Sequence, residues 1–89
     1  MKITPDSKAG GCRTGTLKNM TVDKIVVALG FFPNVEDDPD KVKDSWGFQA
    51  NGVLCGICDY KGSEQFGNYS TYGPSTVFKE LFGDDYESR

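Results

Sequence analysis

The dipeptide Asn51-Gly52 is the feature that most constrains how this chain folds. Asn-Gly is the preferred pair for a two-residue type I′ turn, because both central residues of that turn take positive φ. Residues 46–50 and 53–57 flank the pair and are rich in apolar side chains, so the sequence predicts a β-hairpin. A two-residue turn also fixes the register of the two strands.

The register predicts which side chains share a face of the hairpin, because successive strand residues point to opposite faces. Six side chains are expected on the core face, in three cross-strand pairs: Ala50 with Val53, Phe48 with Cys55, and Trp46 with Ile57. The alternate positions are expected on the opposite face: Gly47, Gln49, Leu54, Gly56 and Cys58.

Two short helices and a third strand are predicted around this hairpin. Thr21 can cap a helix over residues 22–29, which carries apolar side chains at helical spacing and is followed by Gly30. Residues 66–72 indicate a strand with a bend at Gly67. Ser75 can cap a final helix that Gly83 ends. The expected fold is an α+β two-layer sandwich, in which two short helices cover a three-stranded antiparallel meander.

A chain of 89 residues has no room for a second core, so we expect one domain over residues 1–89. The expected segments are a Gly-rich extended arm (1–20), a helix (21–30), the meander (45–72), a second helix (75–83) and a polar tail (84–89). The arm is assigned because its glycines and few apolar residues favour neither a long helix nor a buried strand.

Composition excludes several classes of function. The chain has no histidine, which removes the usual general base and the third member of a hydrolase triad, and the sequence predicts a protein that is not an enzyme. A net charge of −3 argues against a protein that coats nucleic acid. No apolar run approaches the about 18 to 20 residues of a membrane span, so a protein of the cytoplasm is expected.

The three cysteines are expected to be reduced and structural. Cys55 and Cys58 have the C-x-x-C spacing, but in a strand residues three apart point to opposite faces. Cys12 is a third soft ligand, and without histidine it cannot complete a zinc site. Neither a metal nor a cofactor is therefore predicted. An acidic run over residues 36–40 could supply calcium ligands, but Pro39 interrupts it and a solvated loop is the preferred interpretation.

The candidate ligand-binding residues lie in three short segments. Positive charge is concentrated in residues 1–30, where Arg13 and Thr14 lie among glycines that can turn their amides toward a phosphate. Lys61 follows the second hairpin strand, and the hydroxyls of Ser70, Thr71 and Tyr72 precede a helix N-terminus. Taken one at a time, these segments also fit a flexible arm, an exposed turn at Asp59–Lys61, and a helix cap.

The motifs of residues 15–83 resemble a family of small bacteriophage-encoded proteins of unassigned function. They are Gly15-x-Leu17, Leu29-Gly30, Asp38-Pro39-x-Lys41-Val42, Ser45-Trp46-Gly47-Phe48, Asn51-Gly52, Ile57-x-Asp59-Tyr60-Lys61-Gly62-Ser63, Ser70-Thr71-Tyr72-Gly73 and Leu81-Phe82-Gly83. Small acidic phage proteins often antagonise host immunity, and by analogy the resemblance implies such a role in the cytoplasm of a bacterial host.

Three functions follow from these features as expectations. The first is a non-enzymatic antagonist that sequesters a small anionic nucleotide signal through Arg13, Thr14, Lys61 and the hydroxyls of residues 70–72. The second is a direct inhibitor of a host defence protein or nuclease, whose acidic segments 36–40 and 84–87 imitate nucleic acid. The third is a structural or regulatory accessory protein. A homo-oligomer is compatible with each of them.

Overall fold

The computed structural model describes residues 1–7, 12–35, 42–60 and 67–88. These described residues form six strands, in chain order β1 (Ile3–Pro5), β2 (Arg13–Leu17), β3 (Val42–Ala50), β4 (Val53–Tyr60), β5 (Tyr69–Tyr72) and β6 (Tyr86–Ser88). Two helices, α1 (Val22–Leu29) and α2 (Ser75–Phe82), lie between β2 and β3 and after β5, and a short 3-10 turn over Gly83–Asp85 leads into β6.

The strands form one six-stranded antiparallel sheet in the order β1-β3-β4-β5-β2-β6. The α+β class is therefore correct, but the predicted three-stranded meander is wrong. Strands β3, β4 and β5 do follow one another as a meander, but they are only the centre of the sheet. Strand β1 extends the sheet beyond β3, and strands β2 and β6 extend it beyond β5. The additional strands were missed because two of them have three residues each, too few to show an alternating pattern.

The hairpin forms with the predicted register. Trp46 pairs with Ile57, Phe48 with Cys55 and Ala50 with Val53. The turn residues Asn51 and Gly52 have φ of 51° and 83°, as a type I′ turn requires. Five of the six predicted core side chains are buried, but Val53 is exposed because it lies at the tip of the hairpin, beyond the reach of the helices.

The predicted arm and tail are also corrected by the sheet. Residues 13–17 are an interior strand, because β2 pairs with β5 on one side and β6 on the other. Residues 86–88 of the predicted polar tail form the edge strand β6. The backbone of Lys18 also donates to the carbonyl oxygen of Asp85, and the Lys18 side chain forms an ion pair with Glu87. Backbone pairing holds both segments in place, and such pairing leaves little trace in the side-chain pattern.

The first helix matches its prediction, and the second begins differently. The Thr21 hydroxyl accepts the backbone N–H of Lys24 at 3.2 Å, and Gly30 ends α1 in the left-handed region. For α2 the N-cap residue is Pro74, with no side-chain cap, and Ser75 is the first helical residue. Proline is well suited to a helix start because its φ is already close to the helical value.

The core lies on the face of the sheet that the two helices cover, here called the helix face. Buried side chains of α1 and α2 pack there against the inward side chains of the strands: Leu17, Trp46, Phe48, Ala50, Cys55, Ile57, Tyr69 and Tyr86. Aromatic rings join the layers, since Phe78 of α2 contacts Phe48 edge-on and stacks on Tyr86. The opposite face is called the second face.

Strand β5, which corresponds to the predicted third strand over residues 66–72, is shorter than predicted. It begins at Tyr69, because Gly67 takes a φ of 72° and its carbonyl oxygen accepts the backbone N–H of Met20 at 2.9 Å. Phe66, the predicted first residue of this strand, lies outside the described residues, as does the acidic segment 36–40.

Candidate functional site

The structure brings five of the six predicted ligand-binding residues onto two neighbouring strands. Arg13 and Thr14 lie in β2, and Ser70, Thr71 and Tyr72 form most of β5. Arg13 is the cross-strand partner of Tyr72. The sixth residue, Lys61, lies outside the described residues, so its prediction has no structural counterpart here.

The five residues divide between the two faces of the sheet. Thr71 is fully buried on the helix face, where its hydroxyl lies 3.3 Å from that of Thr14. Thr71 is buried and Thr14 is half-buried, and because their hydroxyls satisfy one another we assign both a structural role. Arg13, Ser70 and Tyr72 lie on the second face, and they are the predicted residues that remain for a ligand.

A β-bulge in β2 places Arg13 on the second face. Leu17 and Gly15 point to the helix face, and simple alternation would place Arg13 there too. The register shifts between Arg13 and Gly15, so that one extra residue, Thr14, enters the strand. The side chain of Arg13 therefore shares a face with Thr16, and its guanidinium donates to the Thr16 hydroxyl at 3.3 Å.

Thr16 joins this group, although it was not among the six ligand-binding residues predicted from the sequence. It pairs directly with Ser70 and accepts the hydrogen bond from Arg13. Assigning residues 13–17 to a strand would have indicated Thr16, since its hydroxyl lies on the face opposite Leu17.

The guanidinium of Arg13 is exposed and has no acidic partner in the described part of the chain. The ion pair found there joins Lys18 to Glu87, and Glu87 is the direct cross-strand partner of Thr16. Tyr72, beside Arg13, is half-buried. The guanidinium of Arg13, the hydroxyl of Thr16 and the ring of Tyr72 thus lie side by side, and each is exposed or half-buried. Such a combination can hold an anion that is attached to a planar group.

The second face next to Tyr72 holds a group of buried small residues, here called the second-face patch: Ser45, Gly47, Gly56, Cys58 and Ser70. The backbone register makes them neighbours. Gly47 pairs with Gly56, and Cys58 pairs with Ser45 on one side and Ser70 on the other. Ser45 is 2% exposed, and its hydroxyl has no hydrogen-bond partner among the residues that the structure describes.

Asp59, interpreted from the sequence as marking an exposed turn, is fully buried. It follows the alternation of β4 onto the helix face, two residues after Ile57. Its carboxylate accepts the backbone N–H of Asp44 at 2.6 Å, one of the contacts that make burial of this polar group tolerable. Asp59 therefore supports the fold at the start of β3.

The cysteines are distributed as the strand register predicts, with Cys55 buried on the helix face and Cys58 buried on the second face. Cys12 is exposed, and no disulfide joins the three. Desolvation raises the pKa of the Cys55 thiol, and a backbone hydrogen bond from Ala50 offsets part of this effect. Within the described ranges, no group of three or more acidic or cysteine side chains is placed to hold a metal ion.

Comparison with protein-family models, with curated proteins and with solved structures found no match to this chain. Neither of the helices described here is long and apolar enough to cross a membrane.

Proposed function

We propose that this protein is a non-enzymatic binding protein that takes up a small anionic ligand of the nucleotide class and sequesters it. One observation carries the proposal: the guanidinium of Arg13 is exposed without an acidic partner among the described residues, and the sheet fixes it beside Tyr72 and Thr16. This combination has the chemistry of a phosphate site next to a stacking ring.

The position of Arg13 favours an anion over an acidic partner within the protein. A guanidinium can form two parallel hydrogen bonds to phosphate, and Arg13 uses one of its nitrogens on Thr16. That contact orients the side chain and leaves the remaining N–H donors for a ligand. Orientation in the free protein reduces the entropy lost when a ligand binds.

The biological role that we propose is that of a phage-type antagonist of bacterial immunity, with a nucleotide immune signal as the ligand. This part of the proposal rests on the resemblance of residues 15–83 to small bacteriophage proteins, and on the acidic composition of the chain. Sequestration needs no catalytic group, and it is therefore compatible with a chain that has no histidine.

Isothermal titration calorimetry with cyclic dinucleotides, cyclic trinucleotides and ADP-ribose derivatives tests the proposal. Arg13→Ala should weaken binding about ten- to a hundredfold, because one charge-assisted contact is lost. Arg13→Lys should be intermediate, since an ammonium lacks the planar fork of donors. Lys79→Ala removes an exposed cation on α2 and serves as the control, with affinity unchanged.

Absence of binding by the wild-type protein to every member of this panel would overturn the proposal. The direct inhibition of a host defence protein through acidic residues would then become the leading hypothesis. Equal affinity of the wild-type and Arg13→Ala proteins would remove Arg13 from the site.

A further inference from the structure

The second face of β2 continues beyond Arg13 with Thr16 and, directly after the strand, Lys18. Leu17 is fully buried on the helix face, so the residues on either side of it point to the second face. Lys18 keeps this alternation because its backbone N–H donates to the carbonyl oxygen of Asp85 at 2.7 Å and extends the pairing of β2 with β6. Three polar side chains from one stretch of chain therefore share this face.

Two cations flank the hydroxyl of Thr16. The guanidinium of Arg13 is directed along β2 and donates to this hydroxyl at 3.3 Å. Lys18 lies two residues beyond Thr16 on the same face, about 7 Å along the strand, within the reach of its own long side chain. An anion that accepts hydrogen bonds from Arg13 beside Thr16 would therefore lie between two positive groups.

Glu87 is the acidic neighbour of these cations. It is the direct cross-strand partner of Thr16, so it also lies on the second face, and its carboxylate forms an ion pair with Lys18. The side chains of Lys18 and Glu87 are 51% and 64% exposed. An exposed ion pair contributes little to stability, and the ammonium of Lys18 has three N–H donors. Lys18 can therefore turn toward a bound anion at little cost.

We propose that Lys18 is a second cationic ligand of the anion that Arg13 binds, and that Glu87 weakens this binding by holding Lys18 and repelling the anion. The inference rests on the proposed function and deepens it. Two cations and one carboxylate leave a net charge of +1 around Thr16. Such a site favours a group with two negative charges, as in a terminal phosphate or a pyrophosphate, over a phosphodiester with one.

The variants Lys18→Gln and Glu87→Gln test this role, because each breaks the same ion pair. If the pair only held β6 in place, both variants would change ligand affinity in the same direction. If Lys18 binds the anion, Lys18→Gln should weaken binding about fivefold, and Glu87→Gln should strengthen it by a similar factor. Lys79→Gln and Glu80→Gln neutralise exposed charges on α2 and are the matched controls, with affinity unchanged.

Calorimetry with three adenosine compounds measures the preference for charge. Adenosine 5′-monophosphate presents a terminal phosphate, ADP-ribose presents a pyrophosphate, and adenosine 3′,5′-cyclic monophosphate presents a singly charged phosphodiester. The wild-type protein should bind at least one of the first two more tightly than the cyclic compound, and the tighter of them identifies the group. Lys18→Gln should reduce this preference.

Lys18→Arg separates the charge of this residue from the fold. It keeps a cation at the same position, so it should retain most of the wild-type affinity. Thermal unfolding of the free proteins should give similar melting temperatures for the wild type, Lys18→Gln and Glu87→Gln, because the ion pair is exposed. Equal loss of binding in Lys18→Arg and Lys18→Gln would overturn the role of Lys18 as a cationic ligand.

The two proposals fail in different ways. If neither these three compounds nor any cyclic dinucleotide or trinucleotide binds the wild-type protein, the proposed function fails, and the role of Lys18 fails with it. If binding depends on Arg13 but is unchanged in Lys18→Gln, the Arg13 site stands and the role of Lys18 is wrong. That role is also wrong if Lys18→Gln and Glu87→Gln shift affinity in the same direction, and the preference for two charges is wrong if the cyclic compound binds as tightly as the other two.

Discussion

Tyr86 lies directly against Gly15, and this contact fixes the edge strand β6 to the sheet. A Cβ atom built on Gly15 would lie 2.8 Å from both the hydroxyl oxygen and a ring carbon of Tyr86, and closer still to the carbonyl oxygen of Glu87. The Tyr86 hydroxyl donates to the carbonyl oxygen of Thr14 at 3.1 Å, and its ring stacks on Phe78. The absence of a side chain at residue 15 is therefore what allows β6 to dock.

Gly15→Ala is expected to destabilise the protein by about 1 to 3 kcal/mol, because the added methyl group forces Tyr86 and the backbone of β6 away from β2. Urea denaturation would measure the change in the free energy of unfolding. Thr16→Ala reduces the side chain of the next residue in β2 and is the control for substitution in this strand. It should lower the free energy of unfolding less than Gly15→Ala does. Equal stability of the wild-type and Gly15→Ala proteins would contradict this account of the contact.

Trp46→Ala is expected to cost about 3 to 5 kcal/mol, which is comparable with the whole stability of a small domain. Trp46 is fully buried, meets Tyr69 edge-on, and donates its indole N–H to the carbonyl oxygen of Phe31 at 3.1 Å. Thermal unfolding followed by circular dichroism would check this. Phe32→Ala removes an aromatic side chain that is 70% exposed, and it should change the melting temperature little. A folded Trp46→Ala protein with the wild-type melting temperature would exclude a core role.

Asn34→Ala is expected to destabilise the edge of the sheet by about 1 to 3 kcal/mol. The Asn34 amide accepts the backbone N–H of Gly47 at 2.9 Å and donates to the carbonyl oxygens of Gly47 and Asp6. It thereby continues the hydrogen bonding of β3 beyond the end of β1. Hydrogen exchange of the Gly47 amide should accelerate in Asn34→Ala and less in Asn34→Asp, which keeps an acceptor. Unchanged exchange in both variants would refute the assignment.

Cys12 should react with a thiol reagent well before Cys55 in the native protein. Cys12 is exposed, whereas Cys55 is fully buried and its pKa is raised by desolvation, which disfavours the reactive thiolate. Mass spectrometry of peptides after brief labelling would give the order of modification. Cys12→Ser should abolish the fast phase, and labelling of Cys55 at the same rate as Cys12 would contradict the prediction.

The raised pKa of Cys55 also predicts a dependence of stability on pH. The folded protein favours the neutral thiol of Cys55. The contribution of this thiol to the free energy of unfolding is therefore full below the ordinary cysteine pKa of 9.0, and it is lost as pH rises through the higher pKa of the folded protein. The difference in unfolding free energy between the wild-type and Cys55→Ala proteins should therefore shrink in alkaline solution. A difference that stays constant above pH 9.0 would exclude this linkage.

The sequence by itself determined the elements that local interactions specify. Asn51-Gly52 set the hairpin and its register, because only a few backbone conformations fit a two-residue turn. Thr21 and Gly30 set the ends of α1, since a cap acts within one helical turn. The C-terminal end of α2 at Gly83 was predictable for the same reason, and its start at Pro74 was not recognised.

Only the tertiary structure decided the edges of the sheet and the candidate site. Strands β1, β2 and β6 are held by pairing with distant segments, and the hydrogen bond between Tyr86 and Thr14 joins residues 72 positions apart. Their apolar residues are too few to show a period, so the sequence predicted an arm and a tail. The bulge at Thr14 placed Arg13 on the second face beside Thr16. Backbone hydrogen bonds between distant segments depend little on side-chain type, and for that reason the residue pattern did not reveal them.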